Sequence, residues 1–488
     1  MTSSIRQTLC RVPVRFRSAT AGPATTLDID VDHWDRSKSY AEIPGPKPLP
    51  IVGNSWRFIP GIGEYANIQL HELFKAMKEK YGPICKLAGM PGRPDMLIVY
   101  DANSAQKLRA LQNRRDQIGV TLTLSVTPKR RSEGGRQGKE WQEFRSSVNQ
   151  VMMQPRNMFH YIGPVDQVSQ EFIERMKSIR LANGQMPPNF STELGCWTME
   201  SVCFLALDTR IGLFNNSTPP ADATTMFNAV KGVFDGMYDL DIKPSLWKIA
   251  YKYVNKAMER LKNMPKEDLH EQQRSVLENL LLQTDDPNKA VAMSMDMLMA
   301  GVDTTAAVMS TILYQLANNP KKQERLQQEL DEVIPDKSKP ISKEQLEKLK
   351  YLRACIKETM RVMPIIAANF RDTGNDVVLG GYQVPKGTVT AMPTNELFMD
   401  EEYFPRAKEF LPERWLSDNK ELKTNHPFAY VPFGFGPRMC VGKRFASLEL
   451  ELLTAKIFRN FSLEWHHPPA KTEFYIVLKF ITPLQFTN

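Results

Sequence analysis

The feature that most constrains the fold of this chain is a loop rich in glycine and proline that presents one cysteine. The segment 433–442 reads FGFGPRMCVG, and an apolar helical run, Phe445 to Phe458, begins just after it. Cys440 is therefore predicted to lie at a helix N-terminus, where unpaired backbone N–H groups and the helix dipole favour a thiolate. A lone cysteine is more commonly a buried, inert side chain, and the loop taken by itself leaves that alternative open.

The same loop has the properties of a site for the axial ligand of heme iron. Amide N–H groups temper the basicity of a thiolate, and glycines allow a porphyrin to approach the backbone closely. Arg438, two residues before the cysteine, can reach a heme propionate. The six cysteines form no CxxC pair and no zinc-like spacing, which is typical of an intracellular, reduced protein.

The loop resembles the heme-binding loop of the cytochrome P-450 family, Phe-x-x-Gly-x-Arg-x-Cys-x-Gly, at all five fixed positions. Five specified residues match by chance about once in 10⁶ positions. The resemblance implies a mostly α fold, with a large helical domain and a small β-rich part. It also implies heme b, bound between a long central helix and the cysteine loop, and monooxygenase activity. Cys440 would then be the iron ligand, with Phe433 and Arg438 contacting the cofactor.

A second motif, AGVDTT at residues 300–305, lies inside the longest apolar helical stretch, Val291 to Ala317. Gly301 lets a ligand plane approach the backbone, and Thr304 can bond the carbonyl of Ala300 and open the helix locally. The resemblance implies that Asp303 and Thr304 are the acid–alcohol pair that delivers protons to bound dioxygen, with Ala300 and Gly301 beside the heme. In isolation, such a segment is more commonly an ordinary buried helix.

Charged residues elsewhere match the family as well. Glu358 and Arg361 lie three residues apart on one helix, and Arg414 follows in the segment PERW. The resemblance implies that these three residues form a buried structural cluster that shapes the cysteine loop. A surface ion pair is the alternative for the first two.

Three more residues are candidate donors to the heme propionates. Trp141 and Arg145 share one helix face at i, i+4 spacing. Arg371 follows Glu358 by thirteen residues, about where the family places a further propionate ligand.

The first 27 residues contain no acidic residue but four arginines and frequent Ser and Thr, which is typical of a mitochondrial transit peptide. A disordered basic tail is the alternative. We expect a transit peptide and leader at residues 1–35 and one large domain at residues 36–488. No apolar window of about 18–20 residues is evident, so no transmembrane helix is predicted. The net charge of +8 is mild, and nucleic-acid binding is a weak hypothesis.

The leader resembles that of the mitochondrial branch of the family, which takes electrons from an acidic [2Fe-2S] ferredoxin served by its own reductase. The segment Asn189 to Phe214 is similar to a helix of mitochondrial members. Lys350, Arg353 and Lys357 recur on one helix face, and the resemblance implies that Arg353 and Lys357 dock the ferredoxin. Lys443 and Arg444 could extend this surface. A solvated basic face is the alternative.

The sequence gives little information about the identity of the substrate. The expected pocket walls, namely 122–126, Met297, Ala300 and 365–368, are apolar or small, so a hydrophobic substrate is predicted. The sequence is similar to insect mitochondrial members linked to oxidation of foreign compounds, which favours a xenobiotic over a steroid or ecdysteroid-type hormone. A heme-thiolate isomerase and a non-enzymatic heme binder are the remaining alternatives.

The mixed aromatic and basic segment Met226 to Leu261 suggests a peripheral position on the matrix side of the inner membrane. Ordinary helix packing is the alternative for this segment. Apolar spacing near 3.6 predicts helices at 71–81, 138–153, 164–178, 192–207, 223–238, 291–317 and 321–333. Strands are predicted at 96–100, in a hairpin at 377–382 and at 474–486.

Overall fold

The computed structural model of the chain describes residues 34–90, 94–112, 138–154, 158–214, 219–231, 259, 275–283, 287–417, 419, 421–422, 424, 426–474 and 477–480. Its α-helices are Leu70–Tyr81 (α1), Ala102–Gln112 (α2), Gly138–Met152 (α3), Ile162–Ile179 (α4), Phe190–Leu207 (α5), Ala221–Lys231 (α6), Val276–Gln283 (α7), Pro287–Ala317 (α8), Pro320–Val333 (α9), Lys343–Lys348 (α10), Lys350–Val362 (α11), Thr394–Phe398 (α12) and Lys443–Asn460 (α13). Its strands are Ile84–Leu87 (β1), Met96–Val99 (β2), Ala368–Asp372 (β3), Val377–Leu379 (β4), Tyr382–Val384 (β5), Val389–Pro393 (β6), Thr472–Phe474 (β7) and Leu478–Phe480 (β8). The predicted mostly α class with a small β-rich part is confirmed.

The centre of the helical part is α8, which has 31 residues and packs against α5 and α13. Helix α5 is buried around most of its circumference, and its Phe190 and Trp197 are fully inaccessible to solvent. Phe172 of α4 stacks on Phe190, with ring centroids 6.3 Å apart. Each fully buried large apolar side chain contributes about 1.5–3 kcal/mol. This packing holds α8 in place between α5 and α13.

Helix α8 ends where the sequence predicts. The side-chain amides of Asn318 and Asn319 donate to the carbonyl oxygens of Tyr314 and Gln315, which lie in the last turn. Pro320 then opens α9, at a position where its missing N–H costs nothing. The two asparagines and the proline therefore separate two helices that would otherwise run on.

A four-stranded sheet in the order β1-β2-β6-β3 forms the main β-rich part. Strands β1 and β2 are antiparallel, β2 and β6 are parallel, and β6 and β3 are antiparallel. Arg371 of β3 lies opposite Thr390 of β6 in this register. Only β2 of this sheet was predicted, because short strands with mixed polarity give little period-2 signal.

The predicted hairpin is present as β4 and β5, which pair antiparallel. Its turn is formed by Gly380 and Gly381, whose φ angles are 55° and 82°. Side chains other than glycine rarely adopt such angles. A second antiparallel pair, β7 and β8, lies near the C-terminus, where strands were predicted.

One described helical segment, Ala292–Ala317 within α8, is long and apolar enough to cross a membrane by length and composition. No apolar window of this length was expected from the sequence, and that expectation is wrong by length and composition. In its most apolar window, 61% of the residues are buried inside the fold. Its apolar surface is therefore explained by its place as a central core helix.

Candidate active site

The cysteine loop is shaped by two glycines in the left-handed region. Gly434 and Gly436 both have φ of 70°. A Cβ added at Gly434 would lie 3.0 Å from the side-chain oxygen of Asn369, so the loop passes close to β3. The backbone N–H of Cys440 donates to the carbonyl of Phe433 at 2.9 Å, which closes the loop. Helix α13 begins at Lys443, with Gly442 as its N-cap, so Cys440 lies just before the helix, as predicted.

The thiol of Cys440 opens onto a cavity, and protein atoms surround it in the other directions. Burial raises the pKa of this thiol. The backbone N–H groups of Gly442 and Lys443 and the positive charges of Arg145 and Lys443 act in the opposite direction. The loop thus supplies the groups that stabilise a thiolate, while burial opposes one unless a metal ion neutralises it.

The cavity has a volume of about 280 Å³ and lies between α8 and the cysteine loop. Its walls come mainly from α3, α5, α8 and the start of α13. The residues that line it are Trp141, Phe144, Arg145, Val148, Met152, Val202, Leu205, Met293, Asp296, Met297, Met299, Ala300, Gly301, Thr304, Thr305, Arg438, Met439, Cys440, Val441, Gly442, Phe445, Ala446 and Glu449. This set brings most of the predicted heme contacts together around one space.

Three of the predicted site residues on α8 line this cavity, namely Ala300, Gly301 and Thr304. The hydroxyl of Thr304 donates to the carbonyl of Ala300 at 2.6 Å, which is the hydrogen bond that the sequence predicts. A Cβ added at Gly301 would lie 3.3 Å from Val202 of α5, so this glycine also permits close packing of the two helices. Asp303 is half-buried and is not among the lining residues.

Three arginines converge on the cavity and the adjoining loop. The guanidinium of Arg438 stacks 3.7 Å from the ring of Trp141, and that of Arg145 lies 6.0 Å from the same ring. Arg145 donates to the carbonyl of Met439 at 2.7 Å. Arg371 donates to the carbonyls of Phe370 and Phe435 at 2.7 and 2.9 Å.

These arginines keep buried donors without a hydrogen-bond partner among the described residues. The donors are both terminal nitrogens of Arg438 and the Nε atoms of Arg145 and Arg371. Burial, followed by repulsion from Arg371 and Arg145, lowers the pKa of Arg438 to about 10, and burial lowers the pKa of Arg371 to about 10. Burial also lowers the pKa of Arg145. Converging cations with unused donors fit a ligand that carries two carboxylates.

The donor set therefore fits heme. A thiol faces the cavity from one side, Ala300 and Thr304 of α8 line it from the other, and the unused guanidinium donors suit two propionates. Phe433, which is half-buried, packs against the helical core beside the loop.

The predicted cluster around Glu358 is present and completely buried. Arg361 bonds Glu358 at 2.8 Å, and Arg414 bonds it at 3.2 Å. Sequence analysis missed the fourth member, Trp415, whose indole N–H donates to the same carboxylate at 2.9 Å. Trp415 in turn lies 4.4 Å, between ring centroids, from Tyr430, which leads into the cysteine loop.

A second concave surface, the proximal groove, lies on the other face of the cysteine loop. It has a volume of about 550 Å³ and is lined by four cations, by aromatic side chains and by one acid, Glu451. The cations are Arg109, Arg353, Lys357 and Lys443. Arg444 is elsewhere engaged, since it donates to the carbonyl of Met153 at 2.7 Å.

Arg353 is held inside the groove. Its guanidinium bonds Glu451 at 3.0 Å and donates to the carbonyls of Leu346 and Glu347. Lys357 is exposed, and its pKa is lowered by burial of its stem and by repulsion from Arg353 and Lys443. Lys350 is exposed and is not among the groove residues. The three predicted cations therefore do not share one environment.

One part of the predicted pocket wall differs from the structure, and another part lies outside the described residues. Residues 365–368 lie at the sheet, where Ile365 accepts from the N–H of Leu478, and they are not among the residues lining the cavity. The segment 122–126 lies outside the described residues. Met297 and Ala300 line the cavity, as predicted.

Several residues at these surfaces gave no sequence motif. Asp296 and Glu449 line the cavity, and Arg109 and Glu451 line the groove. Helical spacing from Ala300 could have identified Asp296. The others become neighbours only through tertiary packing.

The comparisons with known proteins agree with this geometry. The cytochrome P-450 family model matches residues 43–486. A probable mitochondrial cytochrome P-450 12a5 of Drosophila melanogaster is 40% identical, over 89% of this chain and 88% of the relative. Cytochrome P-450 CYP12A2 of Musca domestica is 36% identical, over 91% and 89%. A probable mitochondrial cytochrome P-450 12c1 of Drosophila melanogaster is 36% identical, over 90% and 89%.

The chain belongs to the cytochrome P-450 family. Members of this family bind heme through a cysteine thiolate, and the chain is accordingly a cytochrome P-450 monooxygenase. Similarity to insect mitochondrial members, which the cysteine loop and the leader predicted, is confirmed.

Proposed function

We propose that this protein is a mitochondrial heme-thiolate monooxygenase in which Cys440 is the iron ligand and a ferredoxin is the electron donor. One atom of O₂ enters a hydrophobic substrate, and the other leaves as water with two electrons and two protons. The observation that carries the proposal is the convergence of Cys440, Thr304 and the unused donors of Arg145 and Arg438 on one cavity, with Arg371 bonded to the adjoining loop.

The heme, when bound, supplies oxygen activation. The residues of this chain bind it and control protons. Arg145, Arg371 and Arg438 have donors available for the propionates, and Trp141 fixes the Arg438 plane by stacking. The hydroxyl of Thr304 donates to the carbonyl of Ala300 and, on rotating away from it, would provide a proton donor at the cavity wall. Asp303, the residue before Thr304 on the same helix, would return a proton to that hydroxyl.

The proximal groove supports docking of an acidic ferredoxin. It adjoins the loop that carries Cys440, so an electron that enters there would have a short path to that cysteine. Its cations complement an acidic partner. Since Arg353 is neutralised by Glu451, the exposed Lys357 and Lys443 are the better docking groups.

The mitochondrial location rests on the names of the relatives and on the basic leader. Residues 1–33 lie outside the described part of the chain. Peripheral contact with the matrix face of the inner membrane was predicted for Met226 to Leu261, of which only 226–231 and 259 are described. Exposed apolar residues elsewhere support such contact: Leu49, Ile51, Val52, Ile59 and Ile62 lie close together in sequence.

The substrate is proposed to be an apolar small molecule, and a foreign compound is favoured over a steroid hormone. The support is the methionine content of the cavity wall, from Met152, Met293, Met297, Met299 and Met439. Flexible thioether side chains adapt to ligands of different shape. An oxygen-independent isomerase is disfavoured because the Thr304 groove would then have no use.

The proposed function is tested by turnover in ¹⁸O₂. Full-length protein is incubated with an alkylbenzene or a sterol, together with mitochondrial ferredoxin and its reductase. We expect one ¹⁸O atom per product molecule, and little product when the microsomal flavoprotein reductase replaces the ferredoxin system. Product oxygen derived from water would contradict the proposal. Equal product formation with the two electron-donor systems would contradict it as well.

A further inference from the structure

We propose that Glu451 limits the affinity of the proximal groove for the ferredoxin, by cancelling the charge of Arg353. This inference rests on the proposed function, in which an acidic ferredoxin docks in that groove. It adds a residue that sets the strength of the partner interaction, and this residue acts against binding.

Among the described residues that line the groove, Glu451 is the single acid. It lies on α13, the helix that begins at Lys443, and its side chain is 16% exposed. One of its carboxylate oxygens accepts a hydrogen bond from the Nε of Arg353 on α11 at 3.0 Å. The ion pair therefore joins two helices that both border the groove.

Arg353 is held in place by contacts other than the one with Glu451. Its two terminal nitrogens donate to the carbonyls of Leu346 and Glu347, at 2.6 and 3.1 Å, near the end of α10. The arginine side chain is nevertheless 32% exposed. Removal of the carboxylate charge would therefore leave a fixed and partly exposed cation in the groove.

The charge of Glu451 also acts on a second cation of the groove. Burial raises the pKa of Glu451, whereas the charges of Arg353 and Lys357 lower it and favour the ionised carboxylate. Burial is also the largest cause of the lowered pKa of Lys357, and the negative charge of Glu451 opposes that change. The carboxylate thus weakens the positive field of the groove and cancels one of its four positive charges.

A negative charge in this position opposes an acidic partner. Carboxylates of the ferredoxin are attracted by Lys357 and Lys443 and repelled by Glu451, because like charges that meet across an interface cost free energy. Electron-transfer complexes are typically small and weak. A [2Fe-2S] cluster passes one electron at a time, whereas the proposed reaction takes two. Oxidised ferredoxin must therefore leave the groove before the second electron arrives, and a limited affinity favours this exchange.

The test measures binding of oxidised mitochondrial [2Fe-2S] ferredoxin to the full-length, heme-loaded protein by isothermal titration calorimetry. Wild type is compared at low and high salt with Glu451→Gln, with the double variant Arg353→Gln and Glu451→Gln, and with Glu409→Gln. Glutamine keeps an oxygen acceptor for Arg353 and removes the charge. Glu409 is the matched control, because it also pairs with an arginine, Arg406, but is not among the groove residues.

We expect Glu451→Gln to lower the dissociation constant of ferredoxin about 2–5-fold at low salt, the range that one partly exposed charge pair gives. High salt should remove most of this gain, because it screens the attraction between the groove and its partner. The double variant should bind as wild type does, since it loses one charge of each sign, and Glu409→Gln should also match wild type.

An unchanged dissociation constant in Glu451→Gln would overturn the proposal, and so would a gain that persists in the double variant. Weaker binding by Glu451→Gln would also overturn it, because Glu451 would then contact a cation of the ferredoxin.

Reduction of wild type by reduced ferredoxin separates this inference from the proposed function. A wild type that ferredoxin reduces, together with unaltered binding by Glu451→Gln, refutes only the role of Glu451. A wild type that neither binds ferredoxin nor accepts its electrons refutes the proposed docking, and this inference with it. The carbon monoxide spectrum of each reduced variant checks that the heme site is retained.

Discussion

Arg438, Arg371 and Arg145 show how single residues indicate the kind of ligand that a site can bind. Cations are seldom buried without a partner, because loss of hydration costs several kcal/mol per ion. Here the three guanidinium groups lie near one another, and each keeps at least one buried donor without a partner among the described residues. The simplest physical account is an anionic ligand that bridges them, and the heme propionates provide two carboxylates.

The hydroxyl of Thr304 is expected to control how efficiently electrons are used. Thr304→Ala removes the hydroxyl that donates to the carbonyl of Ala300, and the cavity wall would then lack the proton donor that the proposed function assigns to it. A positioned proton-transfer group typically contributes about 10²–10⁴ in rate. We predict that Thr304→Ala binds heme and substrate normally but diverts most reducing equivalents to hydrogen peroxide.

The measurement is product formed per NADPH consumed, with peroxide assayed in parallel. Thr311→Ala is a matched control, because Thr311 lies on the same helix and its hydroxyl bonds Val308 in the protein core. Unchanged coupling in Thr304→Ala would place the proton donor at another residue.

Glu449 is expected to make stability depend on pH. Burial raises its pKa to about 8 in the folded protein, against about 4.3 for an unfolded chain. Between these values the folded state binds more protons, so stability falls as pH rises, by roughly 1.4 kcal/mol per unit at most. The stabilising contribution is complete below about pH 4.3 and lost by about pH 8.

Glu449→Gln preserves an acceptor for Ser201 and removes the titration. Denaturant unfolding between pH 5 and 8 should therefore show a flatter pH dependence for Glu449→Gln than for wild type. Parallel curves for the two proteins would mean that Glu449 does not retain its proton in the fold.

At the scale of elements, the Glu358 cluster joins α11 to the segment that leads into the cysteine loop. Arg361 also donates to the carbonyls of Phe398 and Ala407, and Arg414 donates to that of Leu422. The donors that do not bond Glu358 thus fix backbone that lies mostly outside regular secondary structure. The cluster acts on the geometry of the loop and has no contact with the cavity among the described residues.

We predict that Glu358→Gln destabilises the protein by about 3–5 kcal/mol, because two buried arginines lose their counterion. Denaturant unfolding and heme content per protein measure the effect, and heme retention should fall with stability. Glu409→Gln is the control, since its pair with Arg406 is exposed and contributes little. Equal stability of both variants would exclude a structural role for the cluster.

The elements also show what sequence could and could not predict. Helices with one buried face, such as α1, α4 and α9, were predicted within a few residues of their observed ends, because burial on one face imposes the apolar period. Strand β3, which carries Arg371, was missed since its five residues alternate poorly. Motif spacing predicted the residues around Cys440, whereas Asp296, Trp415 and Glu451 depend on contacts between distant segments, which no local pattern encodes.

At the scale of the whole molecule, two concave surfaces lie on opposite faces of the cysteine loop. One is the largely apolar cavity under α8, and the other is the proximal groove with four cations. Under the proposed function, substrate and electron donor would therefore bind at the same time without competing. Met439, in the loop that carries Cys440, lines both surfaces.

We predict that the double variant Lys357→Gln with Lys443→Gln raises the ferredoxin KM several-fold and flattens its salt dependence. Exposed charges steer the encounter, and salt screens them with a Debye length of about 8 Å at physiological ionic strength. Arg353→Gln should alter KM less, because Glu451 already neutralises Arg353. Stopped-flow reduction and steady-state kinetics measure both effects.

Lys350→Gln is the matched control for charge, since Lys350 is exposed on the same helix outside the groove. A double variant with wild-type ferredoxin kinetics, or a Lys350→Gln variant that is equally impaired, would contradict docking in the proximal groove.

The most direct test of the central claim is the carbon monoxide spectrum of the reduced protein. Wild type and the control Cys196→Ser, whose cysteine lies outside the cavity, should show the red-shifted Soret band of a thiolate-ligated heme. Cys440→His should bind heme without that band and without monooxygenase activity. A Cys440→His protein that kept both the band and its activity would show that the iron ligand is not Cys440.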